Sequence, residues 1–238
     1  MAKTHTTWKV LPHGPIEKLS DRLWRIEGSL EGIAMKRVMT VVRRADGSLA
    51  IHNAIALGAA EMAELESWGP MRMLIVPNGF HRLDARVFRD RYPDARVVCP
   101  AGARAKVEQV VPVSATYDEI ADDGVMELQT LDGTKQREGA MIVRAGGTDV
   151  SLVFNDAVFN MPHVTGLTGF VLRRLTGSTG GPRVSRIMTL FVISDRAAFR
   201  THLERLAALP GLRRIIVSHH ETIDRDPASV LRAVATVL

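Results

Sequence analysis

Residues 74–88 read LIVPNGFHRLDARVF and place polar side chains directly after an apolar run. The run Met71–Val76 (MRMLIV) has the length and the aliphatic side chains of a buried strand. Pro77 and Asn78 end it, and a short helix is predicted over Asp84–Tyr92. A strand that continues through a polar turn into a helix is a unit of an α/β fold, in which ligands collect at the carboxyl ends of strands.

Helices and strands alternate on both sides of this segment. A helix is predicted over Ala59–Trp68, where Gly69-Pro70 ends it. A strand is predicted over Arg96–Cys99 and a further helix over Ala101–Val110. This alternation implies parallel strands that are joined by helical crossovers.

Two hairpins are predicted from glycine-containing turns between apolar runs. Asp46-Gly47 separates the predicted strands Met35–Arg43 and Leu49–Ala54. Gly146-Gly147 separates Ala140–Ala145 from Val150–Asn155. A short strand is also predicted at Leu23–Ile26, and antiparallel strands are predicted between residues 113 and 140.

The last third of the chain continues the mixed pattern. Its predicted elements are a loop over Thr176–Pro182, a helix over Asp195–Leu209 with Ser194 as its N-cap, a strand over Arg214–Ser218, and a helix over Pro227–Val237 preceded by Asp226. Each half thus has antiparallel strands followed by helix, strand and helix. The pattern predicts an α/β sandwich with two sheets inside and helices outside, as a single domain over residues 1–238.

The composition is that of a globular protein without membrane or disulfide features. No run reaches the roughly 20 apolar residues of a membrane helix, and the N-terminus MAKTHTTWKVLPHG lacks a signal-peptide core. The single cysteine, Cys99, excludes an internal disulfide and a cysteine-cluster metal site. We therefore expect a cytoplasmic protein. The net charge is +5, but the arginines are scattered, which argues against nucleic acid as the partner.

Polar residues of the type that binds metals follow four predicted strands. They are His52 and Asn53; Asn78, His81 and Asp84; Asn155 and Asp156, with His163 shortly after; and His219 with His220. Imidazoles with a carboxylate suit zinc or iron. Each group also has a structural explanation, since Asp84 is well placed for the positive end of a helix and Asp156 for capping the next segment.

Several segments resemble the metallo-β-lactamase-fold superfamily and, within it, the uncharacterised group labelled DUF4336. The similarity runs through DGSLAIHNAIAL, WGPMRMLIVPNGFHRLDARVFRDRYPDARVVCPAG, SLVFNDAVFN and VISDRAAFRTHLERLAALPGLRRIIVSHHETI. Its most specific part is the pattern of strand, Pro-Asn-x-x-His, helix and Tyr-Pro-Asp-Ala. The resemblance implies a four-layer αββα sandwich of metallo-β-lactamase type, with two mixed sheets inside and helices outside.

The resemblance also implies a degenerate metal site. Catalytic members bind metal through His-x-His-x-Asp-His, a later His, a bridging Asp and a final His. One alignment of the first motif puts Asn78, Phe80, Arg82 and Leu83 at the ligand positions, and a shift of one residue retains only His81 and Asp84. Asp156 matches the bridging Asp and His219 the final His, whereas Asn53 replaces a strand-end Asp and His220 the usual Gly.

Three functional hypotheses follow. The first is a metal-free, non-catalytic member that binds a small molecule or a partner protein, with His52, Asn53 and Asn78 lining its pocket. The second is a metal-dependent hydrolase with one zinc or iron ion on His81, Asp84, Asp156 and His219, and with His163 or His220 carrying protons. The third, a nuclease, needs an intact metal motif. The sequence identifies no partner and is compatible with a homo-oligomer.

Overall fold

The computed structural model describes residues 4–163 and 166–238. A first sheet contains seven strands that lie side by side in chain order. They are β1 (Glu17–Lys18), β2 (Leu23–Leu30), β3 (Ile33–Arg43), β4 (Leu49–His52), β5 (Met71–Ile75), β6 (Arg96–Cys99) and β7 (Ala115–Thr116). The pairs from β1 to β4 are antiparallel and those from β4 to β7 are parallel, so the sheet is mixed.

The remaining strands form a second mixed sheet and a small hairpin-like pair. They are β8 (Met126–Thr130), β9 (Gly139–Arg144), β10 (Val150–Phe154), β11 (Phe159–Met161), β12 (Gly181–Arg183) and β13 (Leu212–Val217). The second sheet has the order β13-β10-β9-β8, with β10 and β13 parallel and the other pairs antiparallel. The strands β11 and β12 pair with each other.

The part of the chain that the structure describes contains six α-helices. They are α1 (Ala59–Trp68), α2 (Ala85–Arg91), α3 (Arg104–Val107), α4 (Gly166–Val171), α5 (Arg196–Ala207) and α6 (Pro227–Thr236). Leu65 of α1 and Phe88 of α2 belong to one core cluster with Ile51 and Leu74 of the first sheet. This cluster holds α1 and α2 to the outer face of that sheet.

A second core lies between the sheets and a third lies outside the second sheet. Successive residues of a strand face opposite ways, so β10 contributes Val153 to the core between the sheets and Leu152 to the outer core. The outer core also contains Phe199 of α5 and Leu231 of α6. Both faces of β10 are therefore buried. The four predicted layers, helices, sheet, sheet and helices, are confirmed.

The strongest sequence patterns give the correct elements. The helix α1 has the predicted bounds, and both predicted hairpins are present as β3–β4 and β9–β10. These segments combine a clear apolar period with a glycine-containing stop or turn, which is why local sequence suffices for them.

Four local predictions need correction. The helix over Ala101–Val110 is only a 3₁₀ turn followed by the short α3. The N-cap of α5 is Asp195, whose side chain accepts a hydrogen bond of 3.0 Å from the Ala198 amide, and not Ser194, whose hydroxyl donates to the Gly133 carbonyl. The segment Thr176–Pro182, predicted as a loop, ends inside the strand β12. The strand β7 lies in the region predicted to be antiparallel, but it pairs parallel to β6.

The topology brings the carboxyl ends of strands from both sheets together. The parallel neighbours β4 and β5 end at one edge of the first sheet, and the parallel neighbours β10 and β13 end together in the second. The Val38 amide of β3 donates to the Ser218 carbonyl, just beyond β13, at 2.9 Å. This bond joins the two sheets where the polar strand ends lie. No helix within residues 4–163 and 166–238 is long and apolar enough to cross a membrane.

Candidate metal centre

Three side chains from three strand ends converge between the sheets. His81 follows β5, Asp156 follows β10 and His219 follows β13. Each offers one ligand atom, and these atoms lie within 4.8 Å of one another. The Nε2 atoms of His81 and His219 are 3.1 Å and 3.2 Å from the same oxygen, Oδ1 of Asp156. Two imidazoles and a carboxylate thus meet at a common point.

The other nitrogen of each imidazole is already committed as a donor. Nδ1 of His219 is 2.8 Å from the Lys36 carbonyl oxygen, which can only accept. Nδ1 of His81 is 3.1 Å from Oδ1 of Asn53. The Asn53 amide has a defined orientation because its nitrogen donates to the Val38 carbonyl at 2.8 Å. Both Nδ1 atoms therefore act as donors, so a ring with a single proton carries it on Nδ1 and leaves Nε2 without one.

The Nε2 atoms then face the carboxylate with lone pairs when the rings are neutral. Lone pairs on His81 and His219 repel the negative oxygen of Asp156, so the cluster requires positive charge between them. Either extra protons on the rings or a metal ion supply that charge. Metal-ligating histidines are commonly held through an N–H bond to a carbonyl oxygen on the opposite side of the ring, which is the arrangement of both rings here.

Asn78 holds the carboxylate in place. Its amide nitrogen donates at 2.7 Å to Oδ2 of Asp156 and at 2.7 Å to Oε1 of Glu138. Its carbonyl oxygen accepts from the amides of Phe80 and His81, at 2.8 Å and 3.0 Å. All hydrogen-bonding groups of this side chain are used. Asn78 therefore turns Oδ1 of Asp156 toward the imidazoles and shapes the turn that carries His81.

Glu138 is a buried acid beside this cluster that the sequence analysis did not identify. Burial, and then the negative charge of Asp156, hold the pKa of Glu138 well above its usual value. For Asp156, burial alone would raise the pKa, but positive charge on His81 and His219, with their hydrogen bonds, outweighs it and brings the pKa well below its usual value. The pKa values of the two neighbouring carboxyl groups are therefore shifted in opposite directions.

Asp84 does not join the cluster, contrary to the expectation from its spacing to His81. Its side chain is buried, and both oxygens are engaged elsewhere. Oδ1 is 2.7 Å from Nδ1 of His5, and Oδ2 accepts from the Arg37 guanidinium and from the Ala56 amide. The carboxylate instead joins the N-terminal segment, β3 and α2.

The other predicted histidines lie outside the three-residue cluster. His52 is buried at the end of β4, where burial and the neighbouring His81 lower its pKa to about 3, so that it stays neutral. His163 is exposed, with Nδ1 3.2 Å from the Thr179 hydroxyl. Nε2 of His220 accepts from the Lys36 amide at 3.2 Å. Asn53 and Asn78 contact the cluster as predicted pocket residues.

If the cluster binds a metal ion, His220→Gly is expected to leave the metal content unchanged. The residue has a φ of 65°, the left-handed region that glycine adopts freely and other residues adopt at about 1–2 kcal/mol. Losing the bond from the Lys36 amide costs about 0.5–1.5 kcal/mol, so the net change in unfolding free energy stays within about 1 kcal/mol. Metal analysis and urea unfolding check this, with His219→Gly as the variant expected to lose metal. Loss of metal from His220→Gly would show that this ring supports the centre.

A cavity of about 400 Å³ adjoins the cluster. The polar residues of its wall are Arg37, Asn53, Asn78, His81, Glu138, Asp156, Thr176, Ser178, Ser185 and His219. The rest of the wall is mostly apolar. The three converging ligand atoms are therefore accessible to a small molecule that enters this cavity.

Solved structures that the chain resembles include metallo-β-lactamases. The DIM-1 enzyme exposed to ceftazidime superposes with a TM-score of 0.63 at 13% identity, over 96% of this chain and 99% of that chain. The enzyme from Pontibacter korlensis gives 0.57 at 12%, over 94% and 99%. The FIM-1 enzyme from Pseudomonas aeruginosa, in a mono-zinc form, gives 0.57 at 12%, over 96% and 97%.

Sequence comparison adds no nearer relationship. No protein-family model matches the chain, and no curated protein matches it significantly. Identities of 12–13% with coverage of nearly the whole chain establish a shared architecture and not a shared activity. The chain therefore has the metallo-β-lactamase fold.

Proposed function

We propose that this protein is a metal-dependent hydrolase with a single zinc or iron ion held by His81, Asp156 and His219. The observation that carries the proposal is the convergence of two imidazole Nε2 atoms on one carboxylate oxygen while both Nδ1 atoms donate to carbonyl oxygens. Catalytic zinc sites have three protein ligands and one open position. Two histidines and one carboxylate are also a set that iron uses.

The charges of these residues suit a divalent cation. Two neutral imidazoles and one carboxylate carry a single negative charge, so a divalent ion relieves the repulsion at Oδ1 of Asp156 and leaves one positive charge. The raised pKa of Glu138 favours its neutral form beside them, which adds no second negative charge. The bonds from Asn78, Asn53 and the Lys36 carbonyl pre-orient all three ligands.

The proposed reaction is the addition of water across an acyl bond. The water oxygen bonds to the acyl carbon, the bond from that carbon to the leaving oxygen or nitrogen breaks, and one water proton passes to the leaving atom while the new acid releases another to solvent. A bound zinc or iron ion supplies Lewis acidity for this reaction. The chain supplies the fixed ligands and an adjoining cavity in which the acyl compound is held against them.

The second candidate is a metal-free member of the fold that binds a small molecule or a partner protein. The mostly apolar wall of the cavity favours it, because such a wall binds a ligand without any chemistry. In that case, protons on His81 and His219 would supply the positive charge that Asp156 needs. The two candidates differ in whether the protein takes up a metal.

Metal analysis of the purified protein separates them. We expect one zinc or iron ion per chain, and stabilisation of about 2.7 kcal/mol when the free ion is at 100 times its dissociation constant. His81→Ala and His219→Ala should lose both the ion and the stabilisation. His163→Ala, an exposed histidine outside the cluster, is the matched control and should keep both. If the wild type holds no stoichiometric metal and neither ion raises its melting temperature, the metal-free candidate replaces the hydrolase.

A further inference from the structure

The cavity beside the cluster has a distinct distribution of polar and apolar groups. Its apolar wall comes from the β2–β3 hairpin, the turn after β5, the strand β11 and the segment after β12. The residues are Leu30, Met35, Phe80, Leu83, Phe159, Ile187, Met188 and Val192. Phe80 and Ile187 are 63% and 48% exposed, whereas the polar residues Asn78 and Glu138 are buried. The mouth is therefore apolar and the floor is polar.

The hydroxyl groups in the wall are engaged with the protein. The hydroxyls of Thr176 and Ser178 are 2.7 Å apart, and Oγ of Ser185 accepts from the Met188 amide at 3.2 Å. On the floor, the Asn78 amide and the two imidazoles are committed to the bonds described above. The polar atoms of the floor that remain free are the converging ligand atoms and Oε2 of Glu138, which has no hydrogen-bond partner.

Outside the three-residue cluster, the described part of the wall has no unpaired cationic side chain for an anionic ligand. Among the lining residues that the structure describes, Arg37 is the one cationic side chain, and its charge is paired with Asp84. Its Nη1 donates to the Ala54 carbonyl at 3.3 Å. Lys106 is not part of the wall, and its Nζ lies 4.4 Å from the centroid of the Phe80 ring. Away from the cluster, an anionic group in the cavity would lose its hydration without gaining a charged partner, which is strongly unfavourable.

We propose that the cavity takes an uncharged, largely apolar acyl compound: an ester or amide whose acyl group is aliphatic or aromatic and whose leaving group carries no carboxylate or phosphate. The acyl carbonyl lies at the polar floor and the apolar acyl group lies against Met35, Ile187 and Met188. The volume of about 400 Å³ limits this compound to a small molecule. The inference rests on the proposed hydrolase for its reaction, in which water breaks the acyl–oxygen or acyl–nitrogen bond.

Binding of two matched amides tests the inference without requiring turnover. Hexananilide is neutral, and 4-hexanamidobenzoate has the same body with one added carboxylate. Each is titrated calorimetrically into the zinc-loaded and the metal-free wild type. We expect hexananilide to bind at least tenfold more tightly than the benzoate to the metal-free form, in which no metal ion can bind the carboxylate.

Two surface variants test whether the ligand binds in this cavity. Ile187→Asp puts a charge into the wall at a half-exposed position and should weaken hexananilide at least tenfold without loss of metal. Leu190→Asp is the matched control, because Leu190 is 69% exposed and does not line the cavity, and it should leave binding unchanged. Both positions are exposed, so neither substitution threatens the fold.

The outcomes separate this inference from the proposed hydrolase. Equal or tighter binding of the benzoate to the metal-free form, no binding of either amide, or binding insensitive to Ile187→Asp would each overturn the inference. If hexananilide binds as expected but the protein takes up no metal, the apolar site stands and the hydrolase fails. If metal is bound in stoichiometric amount and the benzoate binds better to the metal-free form, the hydrolase stands and the inference about its substrate fails.

Discussion

Asp84→Ala is expected to lower the free energy of unfolding by about 3–5 kcal/mol. Asp84 is 1% exposed and Arg37 is 3% exposed, so their ion pair lies out of water. Removing the carboxylate leaves the guanidinium buried with its Ala54 carbonyl contact and no neutralising charge. Breaking a buried pair is costly for this reason, even where the intact pair contributes little.

The same carboxylate also joins separate parts of the chain. His5 contacts it through Nδ1 at 2.7 Å, and the Ala56 amide donates to it at 3.2 Å. The His5 amide in turn donates to the Leu83 carbonyl at 2.7 Å. Without Asp84, the buried His5 ring and the Ala56 amide both lose an acceptor, which adds to the cost.

Urea unfolding measures the change, with a surface pair on the same helix as the control. Asp90 pairs with Arg86 at 2.9 Å across one helical turn, and both side chains are exposed. Asp90→Ala should therefore cost no more than about 0.5 kcal/mol. The double variant Arg37→Met with Asp84→Leu removes both charges and should recover most of the loss. A cost below about 1 kcal/mol for Asp84→Ala would mean that water or another group solvates Arg37.

Asp84 also shows where sequence spacing stops being informative. His81 and Asp84 both follow a buried strand and lie three residues apart, which is compatible with a shared metal site. Their partners decide the outcome, and these are distant in sequence: Arg37 precedes Asp84 by 47 positions, and Asp156 follows His81 by 75. Local sequence predicts that polar side chains cluster at a strand end, but not which neighbour each one meets.

The fold was accessible from the sequence because its signals are local and mutually consistent. Asp46-Gly47 between two apolar runs specifies the β3–β4 hairpin, and an apolar run such as that of β5 specifies a buried strand. Alternating helices and strands then require parallel pairing. The elements that were predicted wrongly are short ones, such as α3 and β12, which have too few residues to show a hydrophobic period.

The detailed candidate site was only partly accessible. The strand ends that carry His81, Asp156 and His219 were predicted from apolar runs and from the family resemblance. Glu138 was not, because a lone acid before the strand β9 looks like a solvent-facing residue. The role of the Lys36 carbonyl could not be predicted either. Every residue has a backbone carbonyl, and only the tertiary fold determines which of them contacts the His219 imidazole.

Asp156→Asn is expected to weaken metal binding by more than about 100-fold. Loss of a residue that only orients a metal ligand already lowers metal affinity by about 10- to 100-fold, and Asp156 is itself a proposed ligand. The substituted amide keeps the shape of the carboxylate but has only one acceptor oxygen. The Asn78 amide nitrogen donates to Oδ2, so the new oxygen should take that position. The new nitrogen then faces His81 and His219, where an NH₂ group cannot bind a metal.

The metal-free form of this variant should be at least as stable as the metal-free wild type. With both Nδ1 atoms acting as donors, the Nε2 lone pairs of His81 and His219 can accept from the new NH₂ group. The variant also removes a buried negative charge beside Glu138, whose pKa Asp156 helps to raise. The substitution therefore replaces a cluster that needs a cation by a neutral, hydrogen-bonded one.

Metal titration and urea unfolding of Asp156→Asn, each compared with His81→Ala, measure the two effects separately. His81→Ala should lose metal and also lose the stabilising contacts of a nine-tenths buried ring, whereas Asp156→Asn should lose metal alone. If Asp156→Asn keeps its metal, Asp156 is not a ligand. If its metal-free form is less stable than the wild type by more than about 2 kcal/mol, the wild-type carboxylate pairs with charged imidazoles. Protons would then supply the positive charge that the geometry demands, and the metal-free candidate would be favoured.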